Sequence, residues 1–235
     1  MAGTMAIQTA ENLVGITLVQ LARKGCPTLY GGSALSFDMA TGALAHGAIE
    51  FSIFSLAEAQ MARYYGVPHY GAGGLTNSKL GDTQAGYEKM ATTLLSYHAG
   101  ADLAVECSLD NHGLFAAEDL VLQNEISGIV MRTGRAFEVN EETLAYDVIK
   151  KVGVGGEYLG EKHTRTNMRR DYWYPPLTDR ASYETWVTKG AKDFRTRAKE
   201  KASQMLASYQ PAPLDQTINK KLDQILEKAK KELGL

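Results

Sequence analysis

Three short apolar runs, Thr28–Tyr30, Val67–Tyr70 and Leu103–Val105, punctuate the first half of the chain, and each ends in a small, polar or glycine-rich loop. Each loop then opens an amphipathic stretch of helical length. Strand, loop and helix in that order is the pattern of a parallel β/α protein. In such folds the loops after the strands' C-terminal ends carry the chemistry. Before the first run, Glu11–Lys24 spaces Leu13, Ile16, Leu18 and Leu21 near helical intervals and stops at Gly25-Cys26-Pro27. Ala2–Gln8 reads as the end of an earlier strand. After Tyr30, Gly31-Gly32-Ser33 begins a long loop to about Ala48, followed by a helix over 49–65 whose apolar side is marked by Ile53, Leu56 and Met61.

The second run leads into Gly71, Gly73 and Gly74, and Asp82 is placed to cap a helix through Ala99. The third run, extended to Ala101–Glu106, precedes a loop at Ser108–Gly113 and a helix over Ala116–Arg132. Past Gly134 the alternation stops. Asn140 caps Glu141–Val152, whose acidic first turn suits the helix dipole. Glycines 153, 155, 156 and 160 form a connector, and two charged helices, Ser182–Tyr209 and Leu214–Leu233, are separated by Pro211 and Pro213. The chain therefore divides into a β/α part, residues 1–134, and a helical extension, residues 135–235, expected to pack on the barrel. A complete (β/α)₈ barrel takes ~250 residues. The β/α part accommodates about four of its eight units, half a barrel.

Composition narrows the function classes. The 235 residues carry a net charge of −2 and are 44% hydrophobic, so nothing favours a nucleic-acid or acidic-membrane partner. No apolar run approaches the ~20 residues of a membrane span, and Met1–Thr9 lacks the pattern of a secretory leader. Cys26 and Cys107 are far apart, which fits a reduced, cytoplasmic setting. His46, His69, His98 and His163 show no spacing typical of a metal site. Cys107 is expected to be buried, and its loop offers too few ligands for a zinc thiolate. Neither glycine cluster forms a dinucleotide fingerprint, because the strand–glycine–helix spacing is wrong.

Longer runs carry a resemblance. Asp38-Met39-Ala40-Thr41-Gly42-Ala43, Ala57–Pro68 (AEAQMARYYGVP), Asp82–Lys89 (DTQAGYEK), Val139–Ala145 (VNEETLA) and Val152–Gly160 (VGVGGEYLG) follow one another as in the trimethylamine methyltransferase (MttB) superfamily, which the chain resembles over nearly its whole length. The resemblance implies a TIM-type (β/α) barrel of which this is the C-terminal half. It implies a methyltransferase that moves a methyl group from a methylated amine to the cobalt of a separate corrinoid (cobalamin) protein, with no cobalamin bound within this chain. The sequence contains no pyrrolysine, which points to the branch acting on quaternary amines such as glycine betaine, with trimethylamine as the other donor. Two other readings stay open: a truncated, inactive remnant acting as an oligomerisation or binding module, and another TIM-barrel lyase or transferase.

No catalytic residue and no metal ligand is assigned. A quaternary ammonium leaves as a neutral amine, so the protein's task is mainly positioning, with aromatic faces and carboxylates holding the cation. His112, in Asp110-Asn111-His112-Gly113 after the third run, is the candidate donor to a betaine carboxylate, or else a loop histidine bonding local backbone. Asp110 orients that imidazole, attracts the ammonium, or forms a turn. Tyr30, Tyr70 and Phe115 are candidate cage walls, with ordinary packing as the alternative, and Phe37 is comparable. Glu106 faces the barrel mouth or a salt bridge. The charged terminal helices are solvated faces or a docking surface for another subunit or the corrinoid protein. An open half-barrel exposes strand edges, so a homo-oligomer is expected.

Overall fold

The computed structural model describes residues 1–32, 34–104 and 107–234. Helix α1 (Ala2–Ala22) is followed by a hairpin of β1 (Phe37–Asp38) and β2 (Ala43–Leu44), then α2 (Ile49–Tyr65), β3 (Tyr70–Gly71), α3 (Thr83–Ala99), β4 (Leu103–Ala104) and α4 (Ala117–Gly134). The rest is helical: α5 (Glu141–Leu144), α6 (Tyr146–Val152), α7 (Lys162–Asp171), α8 (Tyr183–Thr188), α9 (Phe194–Ser208) and α10 (Gln216–Leu233). The chain forms two compact units, Met1–Ala202 and Ser203–Leu235.

The first unit is mostly helix around a narrow parallel ribbon. Tyr30 bridges His69 in parallel, and β3 pairs in parallel with β4 through Tyr70–Leu103 and Gly71–Ala104. The Tyr70 amide donates to the Tyr30 carbonyl and the Tyr30 amide to the Pro68 carbonyl, both at 2.8 Å. All three apolar runs thus lie side by side and point the same way, as the alternation predicts. The expected third strand is shorter than the run, and its Val105 and Glu106 lie outside the described residues, as does Ser33. Among the described residues these pairings do not close into a barrel.

A side-chain cap begins α3, and glycine caps end both α2 and α3. Gly66 and Gly100 adopt left-handed backbone at the two C-termini, and the Asp82 side chain accepts from the Ala85 amide at 3.0 Å. α1 packs on α2, α2 on α3 and α3 on α4, all beside the ribbon. The face α2 buries is not the one its large aliphatic residues marked. Ile53 is 44% exposed, while Phe51, Phe54, Ala59 and Ala62 are buried together with Ser52, Ser55 and Glu58.

Other sequence expectations need correction. Ala2–Gln8 is the first two turns of α1, not a strand; it lacks apolar alternation, and its alanines favour helix. The long loop after Tyr30 contains the antiparallel hairpin β1–β2, in which Phe37 pairs with Leu44. The Asn140-capped helix breaks at Ala145, which turns left-handed and separates α5 from α6. The expected helix 182–209 is two helices, broken where Gly190 and Ala191 both take positive φ. α7 had no apolar stripe to reveal it. α4 is anchored to the segment after α7 by the buried Glu125, whose Oε1 accepts from the Leu177 and Thr178 amides at 3.2 and 2.8 Å and from the Thr178 hydroxyl at 2.8 Å.

In the second unit, Asp215 caps α10 by accepting from the Thr217 amide, and no side chain of α10 is buried.

Candidate functional site

Three loops at the C-terminal side of the ribbon are sewn to one another: residues 44–47 before α2, 74–78 after β3, and 107–115 after β4. α3 supplies the floor. Ser78 donates its hydroxyl to the Asp82 cap at 2.9 Å, fixing the loop onto the helix N-terminus. One turn in, Glu88 turns its carboxylate up into the loop. Its Oε2 accepts from the Thr76 hydroxyl at 2.5 Å and the Asn77 amide at 2.8 Å, while Gln84 donates to Oε1 at 2.9 Å. Gly47 lies so close above that a Cβ there would stand 2.3 Å from Glu88 Oε2. This glycine is required by close approach.

Asparagines join the loops. Asn77 donates to the Leu44 carbonyl and accepts from the Gly47 amide, both at 2.8 Å. Asn111 accepts the His46 amide on Oδ1 at 3.1 Å and donates its own amide to the Thr76 carbonyl at 3.2 Å. Beneath, Lys89 is fully buried. Its ammonium donates to the Gly74 carbonyl at 3.0 Å and meets the Asp119 carboxylate of α4 at 2.8 Å. Cys107 is half-buried beside that pair, and burial pushes its thiol up to about 11. It is therefore a protonated thiol at neutral pH.

The turn at 109–114 has unusual backbone. Leu109 and Leu114 exchange amide–carbonyl bonds at 3.0 and 3.1 Å, and between them Asp110, Asn111 and His112 all take positive φ, 47°, 51° and 72°. Asp, Asn and His are the non-glycine types that tolerate this region best. Three in succession still carry a conformational cost of the kind that concentrates at functional sites. The turn presents His112 at the surface, with the Ser108 hydroxyl 3.0 Å from Nδ1. Behind it stands the buried His46 ring, 4.8 Å away and edge-on, with Phe51 at 5.4 Å on its other contact. Burial holds the His46 imidazole below its ordinary range; the neighbouring His112 adds to that, and Asn111 opposes it.

Of the residues named from sequence, Asp110 and His112 share this turn, with the Asp110 carboxylate 3.2 Å from the Lys79 ammonium. Phe115, just past it, is 69% exposed. Tyr70 is half-buried on β3, with Gly31 pressed against it: a Cβ on that glycine would lie 2.8 Å from the Tyr70 Cβ. Tyr30 is apart from this group. It is fully buried under the helices, donating its hydroxyl to Thr9 of α1 at 3.0 Å and stacked on Tyr65 of α2. Phe37 lies in the β1–β2 hairpin, and Glu106 lies outside the described residues. His46, Asn77 and Glu88 were not singled out from sequence. Their partners lie 65, 30 and 12 residues away, so no local motif could flag them. Among the described residues no group of three or more His, Cys, Asp or Glu could hold a metal ion, and no helix is long and apolar enough to cross a membrane.

A parallel β/α layer places its loop cluster at the C-terminal ends of the strands, the side on which β/α folds build their sites. Residues 1–234 match the family model described as trimethylamine methyltransferase (MTTB), and the chain belongs to that family. It is 38% identical over 236 residues to a protein named glycine betaine methyltransferase from Desulfitobacterium hafniense (strain Y51), covering 100% of this chain and 49% of that one. It is 39% identical over 233 residues to the trimethylamine methyltransferase MttB of Methanosarcina barkeri, covering 98% and 47%. The chain spans about half the length of the curated relatives it matches.

Proposed function

We propose that the chain forms the substrate-facing half of a (β/α) barrel that moves a methyl group from a quaternary amine of the glycine betaine type, or from trimethylamine, to the cobalt of a corrinoid protein. Residues 1–134 are the partial barrel and 135–235 its helical extension. The observation that carries this reading is the strained turn that presents His112 at the strand ends, in a chain whose relatives are named for these two donors. The acceptor, cob(I)alamin on its carrier, is a second substrate that supplies the nucleophile. It takes the methyl group as the carbon–nitrogen bond breaks, and the bond's electron pair stays on the departing amine: a tertiary amine from a quaternary donor, dimethylamine from trimethylamine that carries a proton on its nitrogen.

This chain's residues bind and orient the donor. His112 donates to the donor's carboxylate. Tyr70 and Phe115 offer aromatic faces to the trimethylammonium, which attracts them through the ring quadrupole. Asp110 adds negative charge on the same turn. The Glu88–Asn77–Asn111 ties hold these groups still, so that positioning is provided before the donor arrives. The ring of Tyr30 supports the layer from beneath.

An open β/α layer is completed by more of the same layer. α1 buries no side chain, and a cavity of about 380 Å³ opens between it and Thr28–Gly31. A second copy of the chain covers this edge in the reading proposed here; light scattering that finds only monomer would count against it.

The decisive experiment is a donor panel of glycine betaine, choline and trimethylamine with cob(I)alamin as acceptor, run on the protein and on His112→Ala. Losing one charge-assisted contact costs about 2–3 kcal/mol, so turnover of glycine betaine should fall about 30- to 100-fold and that of choline far less. Equal loss on both donors would remove the carboxylate from His112. Activity confined to trimethylamine would overturn the betaine assignment, and no transfer from any donor would favour a binding module.

A further inference from the structure

We infer that His46 is a positioning residue for His112, its buried imidazole setting the angle at which the His112 ring meets the donor. The inference rests on the reading that His112 receives the donor's carboxylate. The two rings stand 4.8 Å apart at 68°, so the edge of one faces the other and rotation of His112 is blocked on that side. His46 itself cannot rotate freely. It is 6% exposed, with Phe51 against its ring and its backbone amide held by the Asn111 side chain. Asn111 is the residue before His112 on the positive-φ turn, so one side chain ties the backbone carrying His46 to the backbone carrying His112.

The chemistry of the pair also matters. Nδ1 of His46 is buried and has no hydrogen-bond partner among the described residues. The ring's neutral form lets it stand beside a second imidazole without charge repulsion, and burial together with His112 favours that form. The charged groups around the pair are Asp110 and Lys79, joined to each other beside the turn, and Glu88 beneath Gly47. Among the described residues the His46 ring meets the rings of His112 and Phe51.

The test compares His46→Ala with His46→Phe. In long-range ¹H–¹⁵N spectra of the intact chain, the wild-type His112 ring should show one tautomer in one environment. His46→Ala should average those signals, and His46→Phe, which keeps a ring edge, should restore them. In the donor assay, His46→Ala should raise KM for glycine betaine about tenfold, the size of a coupling between neighbouring groups, with kcat nearly unchanged and KM for choline unaffected. Unchanged His112 signals in His46→Ala, or an equal rise in KM for both donors, would overturn the inference. Should His46→Ala fail to fold, His46→Phe still decides: wild-type His112 signals and KM support ring positioning, and loss of either refutes it. Absence of methyl transfer by the wild type would sink the proposed function while the spectra still judged the ring pair.

Discussion

α3 and α10 are almost the same length, 17 and 18 residues, and are built on opposite terms. α10 carries the clean apolar stripe, Ile218, Leu222, Ile225 and Leu226, and buries nothing. α3 has no such stripe and buries Glu88, Lys89, Thr92 and Ser96 alongside Ala85 and Ala99. Three of these four polar side chains are matched: Glu88 to Thr76 and Asn77, Lys89 to Asp119 and Gly74, Thr92 to the Leu75 amide, while the buried Ser96 hydroxyl has no hydrogen-bond partner among the described residues. The ion pairs of α10, Lys230–Glu227 and Lys228–Glu232, stay on its own surface. A stripe makes a helix adhesive to any apolar face, whereas paired polar groups admit one arrangement only. The helix under the candidate site is the one that needs a unique arrangement.

If that contrast is right, the largest loss of stability comes from dividing the buried pair below the site. Lys89→Met or Asp119→Ala should each cost about 3–5 kcal/mol in denaturant melts, because the remaining charge is stranded in the interior. The double variant Lys89→Met with Asp119→Leu should recover much of that. If the single variants lose less than 1 kcal/mol, the polar matching of α3 is not what holds it. Next in size is Glu125→Ala on α4, which strips three donors of a charged acceptor and should cost about 2–3 kcal/mol. Glu125→Gln keeps Oε1 and should cost clearly less in the same melts.

The contrast also explains what could be read from the residues alone. The three runs marked the ribbon because β/α alternation is a local pattern, and Asp82 marked the start of α3 because a cap is local chemistry. The apolar side of α2 was misread for the reason α3 is unusual. Phe51 and Phe54 share a buried face with two serines and a glutamate, so hydrophobicity did not mark it. The Asp110-Asn111-His112-Gly113 turn was visible as a candidate from its place after a strand. Its backbone strain was not, and neither was His46, whose tie to Asn111 crosses 65 residues. Tyr30 shows the converse: its position at a strand end was legible, but strand alternation sends its ring under α1 and α2.

A smaller effect should appear in the pH dependence of stability. The folded His46 imidazole is held below its ordinary range, so its contribution is complete above the unfolded value of about 6.5. It is lost as pH falls through the lower folded value, because the unfolded chain takes up the proton first. His46→Phe should flatten the fall in melting temperature below about pH 6.5 without lowering stability at pH 8. The same acid sensitivity in the variant would place the titration elsewhere.

The smallest effect is expected where the stripe is cleanest. Leu222→Ala and Ile225→Ala on α10 delete apolar bulk that is 45% and 64% exposed, so no interior cavity forms. Such surface changes alter stability by about 0.5 kcal/mol or less. A buried Leu→Ala change costs about 2–5 kcal/mol, so the two outcomes separate cleanly in one urea titration. Running that titration at two protein concentrations sharpens it. If the stripe is covered by another copy of the chain, the penalty of each substitution should grow with concentration, because association stabilises only the folded form. A penalty above about 2 kcal/mol that does not depend on concentration would mean α10 is packed within its own chain, and the contrast with α3 would fall.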